Sequence, residues 1–539
     1  MKTQCFSFNQ IPHTTPLFSD FLAEAPKAKQ FYPRSARFLS WFRDAAVELK
    51  YDSGRREQVA AILERQNRSW GASPQTLENL ARFRRGACVF VTGQQVGLFG
   101  GPLFTILKAL TAIKFADEAC SGGIDCVPVF WLANEDHDLE EVNHVTVPGT
   151  DFSLRELTAP TQGVIDSSVG SIEFGQEILA VVERAGELLG ASRIMELLRN
   201  AYRPGETYGG AFAKLLSYLF GDRGLILLDG SDSELRRIAQ PLFVAAIERA
   251  GELDEALLAR GRALDTAGYH QQVKVTRSST LLFSIQNKAR MAIHRSTNGI
   301  SKGEFVIGEK KISESALLSE IHANPGNFSP NVLLRPVVQD YLLPTLAYAG
   351  GPAEVAYFAQ CGVVYEALAG RVTPVISRLS ATLVEAKAQK LLEHYGLALA
   401  DLFDGANALR ERCAARMVPA DVRAAFESAS MDLDRSLGRI REAIGKLDST
   451  LIAACATAAS KMHHQIDRLQ GKSARAELAR NELISRHAEL LTNSLYPHKS
   501  LQEREIAGVY FLARHGLDLL NQLYADLRTD CVDHQLIRI

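Results

Sequence analysis

Three short apolar runs along the chain predict the central strands of a parallel sheet. They cover residues 88–91, 126–132 and 225–229, and a helical pattern over 102–119 connects the first two. Continuous apolar runs are typical of parallel strands, because helices cover both faces of such a sheet. A further helix is predicted over 233–250, so the strand–turn–helix unit is repeated. The pattern indicates an α/β fold whose ligands bind beyond the carboxyl ends of the strands.

A glycine-rich turn follows the first strand. The strand is predicted to break at Thr92-Gly93, and the loop holds Gly97, Gly100 and Gly101 before a helix that begins at Pro102. A strand, a glycine-rich turn and a helix N-terminus together present backbone N–H groups to an anion. The spacing is neither that of a P-loop nor that of GxGxxG. It therefore leaves two interpretations open, an anion site and a simple tight turn.

An acidic loop follows the second strand. Residues 134–144 contain five carboxylates and two imidazoles, and they lie at the same predicted edge of the sheet as the glycine-rich turn. Such a loop can supply a general base, bind an amine or orient Mg²⁺. It can equally be a solvated loop that caps a helix. His137 and His144 are seven residues apart, which does not match a helical zinc pair.

The rest of the first 382 residues completes a predicted core with two insertions, at about 150–222 and 255–330. Helices are predicted over 20–87 and 206–220. Alternating runs at 272–275 and 281–285 predict an antiparallel β insertion within 268–316. Gly350-Gly351-Pro352 opens a helix that carries Glu354 and Tyr357, and a late strand is predicted at 373–376. Arg335 and Arg378 are candidate clamps for phosphate or carboxylate, and structural ion pairs are the alternative.

A change in composition marks a second, helical domain over 383–495. Leu433, Leu437, Ile440, Ile444, Leu447 and Leu451 alternate spacings of four and three, and Ala454 and Ala458 continue the series. This heptad seam predicts a long coiled-coil helix that packs against a shorter helix at about 383–413, against a second subunit, or against both. A shift of phase at Ala458 predicts a stutter. Residues 496–539 regain globular character and are predicted to pack back on the core as a helical segment.

Composition narrows the functional classes. The 539 residues are 46% hydrophobic and 23% charged, with a formal net charge of −2, which argues against a nucleic-acid or membrane surface. No apolar run approaches the ~20 residues that span a bilayer. The eight cysteines are scattered without a CxxC, so we expect reduced thiols and neither a disulfide framework nor a zinc site. With no signal-peptide pattern at the N-terminus, we expect a cytoplasmic protein.

Five segments together resemble one known family, the bacillithiol-biosynthesis cysteine-adding enzymes called BshC, or cysteine ligases. They are TGQQVGLFGGPLFTILKA (92–109), WLANEDHDLEEVNH (131–144), FSPNVLLRPVVQDYLLPTLAYAGGPAEVAYFAQ (328–360), PVISRLS (374–380) and YPHKSLQER (496–504). The resemblance implies a Rossmann-like core related to class I nucleotidylyltransferases, with connective insertions and an antiparallel coiled-coil arm that makes a homodimer. It also implies a carbon–nitrogen ligase that joins the carboxyl group of L-cysteine to the amine of glucosaminyl-malate. Activation of the carboxylate is expected to need ATP, with ADP and Mg²⁺ as accompanying ligands.

The resemblance and the predicted crevice select the site residues. We expect His137 to take the proton from the attacking amine, and we expect either Asp136 or Glu140, the other two candidate catalytic residues, to hold an ammonium. The expected substrate- or phosphate-binding residues are Gln94, Gln95, Gly97, Thr105, Lys108, Trp131, Glu135, Asn143, Arg335, Glu354, Tyr357, Arg378 and Ser380. A second candidate nucleotide site consists of Tyr496, Lys499, Gln502 and Arg504, and no protein-bound metal is expected.

The chain departs from the superfamily at two places. Gln94-Gln95-x-Gly97 stands where related enzymes carry a histidine-rich turn, and amides keep hydrogen-bond donors but lack acid–base capacity. The late SRLS stretch has no lysine where those enzymes have a mobile lysine loop. Two alternative functions therefore stay open: a nucleotidyltransferase-like enzyme acting on another small acid, and a non-catalytic coiled-coil scaffold.

Overall fold

A computed structural model describes residues 3–37, 39–160, 168–286, 289–296 and 303–539. The chain divides into two compact units. The core unit comprises Met1–Gly149, Leu154–Thr382 and Glu503–Ile537. The helical unit comprises Thr150–Ser153, Leu383–Gln502 and Arg538–Ile539. Each unit is described by itself below.

The strands carry the following bounds: β1 Thr3–Phe6, β2 Cys88–Gln95, β3 Cys126–Ala133, β4 His144–Pro148, β5 Leu154–Thr158, β6 Ile226–Asp229, β7 Ser279–Gln286, β8 Ala289–Arg295, β9 Glu304–Ile307, β10 Lys310–Ser313, β11 Phe328–Pro330, β12 Thr345–Gly350, β13 Val375–Ser377, β14 Ser380–Val384 and β15 His534–Arg538. The helices are α1 Pro16–Leu22, α2 Pro26–Lys29, α3 Phe42–Glu48, α4 Ser53–Ser69, α5 Pro74–Arg85, α6 Phe104–Ser121, α7 Ile178–Leu189, α8 Arg193–Ala201, α9 Tyr208–Phe220, α10 Ser233–Glu248, α11 Ala250–Thr266, α12 Glu314–Ala323, α13 Arg335–Leu342, α14 Pro352–Leu368, α15 Ala386–Tyr395, α16 Ala406–Met417, α17 Ala420–Leu447, α18 Leu451–Arg480, α19 Glu482–Leu495, α20 Gln502–Glu505, α21 Gly508–His515 and α22 Leu519–Asp526.

The core unit is built on a parallel sheet in the order β13-β12-β2-β3-β6. The three strands predicted from apolar runs are β2, β3 and β6, and their parallel pairing is confirmed. The predicted break of the first strand at Thr92-Gly93 is wrong, because β2 pairs with β3 without interruption as far as Gln95. Gly93 permits this pairing, since a Cβ there would lie 2.8 Å from the carbonyl oxygen of Trp131. The extra turn of strand carries Gln94 and Gln95 to the carboxyl edge of the sheet.

The glycine-rich turn is compact and buried. Phe99, Gly100 and Gly101 all have positive φ, at 49°, 83° and 72°, so two of the three positions favour glycine. The helix α6 begins at Phe104, two residues later than the predicted start at Pro102. The Cβ position of Gly97 would lie 3.2 Å from the Cα of Gly101, which closes the turn on itself.

A second sheet of the core unit is antiparallel, in the order β10-β9-β8-β7-β11. This confirms the predicted antiparallel insertion and its strand at 281–285. The strand predicted at 272–275 is wrong. Both backbone groups of Val273 bond instead to the side-chain amide of Gln360, each at 2.8 Å, and so they are not available to a strand partner. The parts of the two predicted insertions at 161–167, 287–288 and 297–302 lie outside the described residues.

The two ends of the core unit meet in a further sheet, where β1 pairs antiparallel with β15. Cys5 of β1 and Cys531 form a disulfide with a Cα–Cα distance of 6.3 Å, while the other six cysteines are free thiols. The expectation that every cysteine is a reduced thiol is therefore wrong for this pair. The pair is separated by 526 residues, and nothing in the spacing of cysteines indicates that the termini pair.

The helical unit contains a helix–turn–helix in place of one continuous heptad helix. The predicted single helix is wrong, because α17 ends at Leu447 and α18 begins at Leu451. The Asp448 carboxylate accepts hydrogen bonds from the backbone and the hydroxyl of Thr450, at 2.9 and 2.8 Å, which forms an Asx turn. The two helices contact each other, with His463 of α18 bonded to Asp434 of α17 at 2.8 Å, and α18 also contacts α16.

Candidate active site

A cavity of about 580 Å³ opens at the carboxyl ends of β2, β3 and β12, within the core unit. This is the edge at which open parallel sheets bind ligands. Its lining combines side chains from the sheet edge, the acidic loop, the antiparallel sheet and the starts of α13 and α14. They include Gln94, Gln95, Lys108, Trp131, Glu135, Asp136, Glu141, Arg290, Val332, Arg335, Tyr348, Glu354, Tyr357, Arg378 and Arg504.

Arg335 lies on one side of the cavity, at the first residue of α13. Its guanidinium donates to the Tyr357 hydroxyl at 2.6 Å and lies about 6 Å from the ring centres of Trp131, Tyr348 and Tyr357. Aromatic faces stabilise a cation. Among the described residues, however, no carboxylate forms an ion pair with Arg335, so the guanidinium can pair with an anionic ligand.

Arg378 is held from behind by Glu503. The two form a bidentate ion pair at 3.1 and 2.7 Å, and both side chains are at most 5% exposed. Glu503 also accepts from the Ser380 hydroxyl and from the backbone of Ala381. Burial alone would raise the pKa of Glu503, but the charge and hydrogen bonds of Arg378 outweigh it, and the pKa lies below its usual value. The buried ion pair therefore fixes the position of Arg378 in the lining of the cavity.

Arg504 completes what we call the arginine wall, namely Arg335, Arg378 and Arg504. Its side chain lines the same cavity and is exposed to solvent, and no hydrogen bond or ion pair of Arg504 occurs among the described residues. Burial and the neighbouring Arg378 charge lower the pKa of Arg504. Because Arg378 is already paired with Glu503, Arg335 and Arg504 are the members of this wall whose charges favour an anion such as a carboxylate or a phosphate.

Lys108 lies at the base of the cavity and is 4% exposed. Its ammonium donates to the Gly93 carbonyl at 2.7 Å, to Gln94 Oε1 at 2.9 Å and to Glu354 at 2.7 Å. Glu354 also accepts from the Tyr348 hydroxyl and from the Gly351 N–H, and it caps the start of α14. Burial lowers the pKa of Lys108, against the opposing effect of Glu354. All three ammonium donors are therefore used inside the protein.

The acidic loop contributes two carboxylates to the cavity, Asp136 and Glu141, which we call the carboxylate wall. Gln95 Nε2 donates to both carboxylates, at 2.7 Å to Asp136 and at 3.0 Å to Glu141. Glu135 also lines the cavity, but it is paired with Arg236 at 2.6 Å. Arg290 is bonded to the carbonyls of Glu135 and Pro330 and so fixes the acidic loop against the antiparallel sheet. The lining of the cavity thus combines cationic side chains with carboxylates.

Several predicted site residues do not line this cavity. The His137 side chain is 54% exposed, and its Nδ1 lies 3.8 Å from Asp136. Glu140 is also exposed. Ser380 is buried and bonded to Glu503 and His534, and the buried Thr105 hydroxyl has no hydrogen-bond partner among the described residues. Gly97 and Asn143 are buried as well.

The second candidate nucleotide site is divided between the two units. Tyr496, Lys499 and Gln502 belong to the helical unit, whereas Arg504 belongs to the core unit. Gln502 is 1% exposed, and its amide bonds the backbone of Leu383 in both directions and the carbonyl of Ser494. The structure therefore assigns Gln502 a packing role and places Arg504 at the core cavity.

Residues that sequence reasoning missed include Tyr348, Arg290 and Glu503. Tyr348 lies within the apolar strand β12 and has the pattern of a core residue, while Glu503 lies in a charged stretch that is typical of a surface. The described residues contain no group of three or more histidines, cysteines or carboxylates that could hold a metal ion. In the same ranges no helix has the length and apolar character needed to cross a bilayer.

Fold and site define a Rossmann-like protein with a cavity at its strand ends and a helical second unit. Two family descriptions match the chain: "Bacillithiol biosynthesis BshC, N-terminal Rossmann-like domain" over residues 1–379, and "Bacillithiol biosynthesis BshC, C-terminal coiled-coil domain" over 381–539. The chain belongs to the BshC family, which confirms the predicted membership.

Curated relatives match over the whole chain. A protein of Koribacter versatilis (strain Ellin345) is 47% identical over 539 residues, covering 100% of both chains. One of Solibacter usitatus (strain Ellin6076) is 36% identical with the same coverage, and one of Geobacillus thermodenitrificans (strain NG80-2) is 30% identical over 96% of each chain. All three carry the name "Putative cysteine ligase BshC", which agrees with the predicted ligase class.

Proposed function

We propose that this chain is the cysteine ligase of bacillithiol synthesis and that it joins L-cysteine to the amine of glucosaminyl-malate in the core cavity. The observation that carries the proposal is that arginines and carboxylates line the same cavity. The arginine wall suits the malate carboxylates and the phosphates of ATP, and the carboxylate wall suits an amine. Both substrates contain an amino group and at least one carboxylate, so a cavity that offers partners of both charges can bind them.

The proposed reaction needs activation of a free carboxylate. ATP, entering as its Mg²⁺ complex, would transfer a phosphorus-containing group to a carboxylate oxygen of cysteine. The bond between the transferred phosphorus atom and the rest of ATP would break, which releases ADP when a phosphoryl group is transferred and pyrophosphate when an adenylyl group is transferred. The amine nitrogen of glucosaminyl-malate then attacks the acyl carbon, the carbon–oxygen bond to the phosphorus group breaks, and the nitrogen loses a proton. Our candidate for accepting that proton is Asp136, because it lines the cavity, whereas His137 is not part of the lining.

The proposed relation of the core to class I nucleotidylyltransferases is supported by the parallel sheet and by the position of the cavity. The active-site chemistry differs from that class, because Gln94 and Gln95 replace histidines and Lys108 is fully bonded within the protein. In this proposal, the arginine wall takes the place of a lysine loop in neutralising phosphate charge.

The proposal is tested by incubating the purified protein with cysteine and glucosaminyl-malate, with and without ATP, and identifying products by mass spectrometry. We expect a product whose mass is that of the two substrates minus one water, formed only with ATP. N-Acetylated glucosaminyl-malate, in which the amine is blocked, is the matched control and should give no product. A product formed at the same rate without ATP would refute ATP-dependent activation.

We propose further that α17 and α18 form an antiparallel arm that makes a homodimer. Their exposed apolar side chains support this, among them Ile440 at 50%, Leu447 at 81%, Met462 at 46% and Leu469 at 56% exposed. Apolar residues concentrated on one helical pair are typical of an interface with a second copy.

The pair Ile440→Asp and Leu469→Asp is expected to convert the dimer to a monomer, because it places charge on that surface without touching buried Leu437. Sedimentation velocity at micromolar concentration measures the change. Leu179→Asp, at a position 46% exposed on α7, is the control and should leave the dimer intact. A dimer that persists in the double variant would place the interface elsewhere.

A further inference from the structure

Gln94 and Gln95 are adjacent residues whose side-chain amides are held in opposite orientations. The ammonium of Lys108 can only donate hydrogen bonds, so its 2.9 Å contact with Gln94 must be made to the amide oxygen. The Gln94 N–H₂ group is then left over, and no described residue accepts a hydrogen bond from it. Since Gln94 lines the cavity, that group is available to a ligand.

The side-chain amide of Gln95 has the opposite orientation to that of Gln94, because it bonds to the carboxylate wall. Ionised carboxylates only accept hydrogen bonds, and the nitrogen of Gln95 donates to both Asp136 and Glu141. The amide oxygen of Gln95 is left over, with no described donor. The end of β2 therefore offers the cavity a donor from one glutamine and an acceptor from the next.

We propose that the N–H₂ group of Gln94 binds the acyl oxygen of the cysteine carboxyl group, and that Lys108 is the positioning residue that sets this orientation. The inference rests on the proposed function, and it specifies which group of the cavity binds the acyl oxygen and which groups bind the amine. During attack by the amine, the acyl oxygen gains negative charge, and a fixed N–H donor stabilises it as an oxyanion-hole donor does. The Gln95 oxygen and the carboxylate wall receive the attacking amine.

Two substitutions of Gln94 separate this role from a structural one. Gln94→Glu has nearly the same shape and gives Lys108 a charged partner, but it removes the donor. Gln94→His can accept from Lys108 at one ring nitrogen and donate from the other. If Gln94 has a purely structural role, the Gln94→Glu variant should be the more active of the two. If Gln94 acts as a hydrogen-bond donor to the substrate, the Gln94→His variant should be the more active.

The experiment measures kcat and KM for cysteine in the amide-forming assay. We expect Gln94→Glu to lower kcat by about 10²–10³-fold, the usual loss of an oxyanion donor, and Gln94→His to lower it by no more than about tenfold. Gln240→Glu is the control, because within the described ranges the Gln240 side chain bonds only the carbonyls of Ile321 and His322, and it does not line the cavity. A glutamate variant as active as the histidine variant, or more active, would overturn the inference.

The failure of the proposed function is distinguishable from the failure of this inference. If the wild-type protein forms no amide, the proposed function fails. The Gln94→Glu and Gln94→His variants are then compared by their affinity for cysteine alone, measured by calorimetric titration. Weaker cysteine binding by Gln94→Glu than by Gln94→His then supports the donor role. Equal binding by the two variants, or none by the wild type, overturns it.

Discussion

Replacing Glu503 with glutamine is expected to lower the free energy of unfolding by about 3–5 kcal/mol, the cost of removing one partner of a buried ion pair. The change leaves the Arg378 guanidinium, which is 5% exposed, without its negative partner. It also replaces a carboxylate that accepts four hydrogen bonds with an amide whose nitrogen can only donate. Urea unfolding followed by circular dichroism measures the difference.

The matched control is Glu196→Gln, which removes one partner of the exposed ion pair with Arg193 on α8. Exposed pairs contribute about 0–1 kcal/mol, so the control should unfold close to the wild-type midpoint. A loss below about 1 kcal/mol in Glu503→Gln would show that Arg378 does not depend on this carboxylate.

The second large effect is expected for Arg335→Met. Methionine fills much of the space between the three aromatic rings but removes the cation that faces the cavity. Hydrogen bonds to a charged group contribute about 1.5–3 kcal/mol, so KM for glucosaminyl-malate should rise roughly 10- to 150-fold. Steady-state kinetics with each substrate varied in turn will measure this, and Arg335→Lys should retain part of the affinity.

Arg65→Met provides the control, because Arg65 is an exposed arginine of α4 whose partners are Asp232 and Glu234. Its KM for glucosaminyl-malate should match that of the wild type. An unchanged KM in Arg335→Met would mean that the malate carboxylates bind elsewhere.

The central sheet could be predicted from sequence because its strands are buried on both faces and appear as unbroken apolar runs. The same runs placed Gln94 and Asp136 at one edge of the sheet, where the cavity lies. A structural ion pair is one of the two interpretations that the sequence allows for Arg378. Its partner Glu503 could not be predicted, since 125 residues separate the two and the position of Glu503 carries no local signal. Long-range pairing of polar side chains has no periodicity to detect.

In the helical unit, sequence-based prediction fails for a different reason. The spacing from Leu433 to Leu451 is that of a continuous heptad seam, yet the chain turns between Leu447 and Leu451. The spacing of apolar residues is unchanged when a turn falls between two of them, so the spacing alone cannot reveal the turn. The local signal was Asp448-Ser449-Thr450, whose short polar side chains favour a turn.

The most direct test of the account is to fill the cavity and measure amide formation. Val332 lines the cavity and is 39% exposed, so a tryptophan there can occupy the cavity without displacing the buried core. We predict that Val332→Trp loses at least about tenfold in the rate of amide formation, since a ligand must enter the cavity for catalysis. Val47→Trp, at a position 80% exposed and outside the cavity, should keep the wild-type rate. A Val332→Trp variant that folds and joins cysteine to glucosaminyl-malate at the wild-type rate would contradict the assignment of the active site to this cavity.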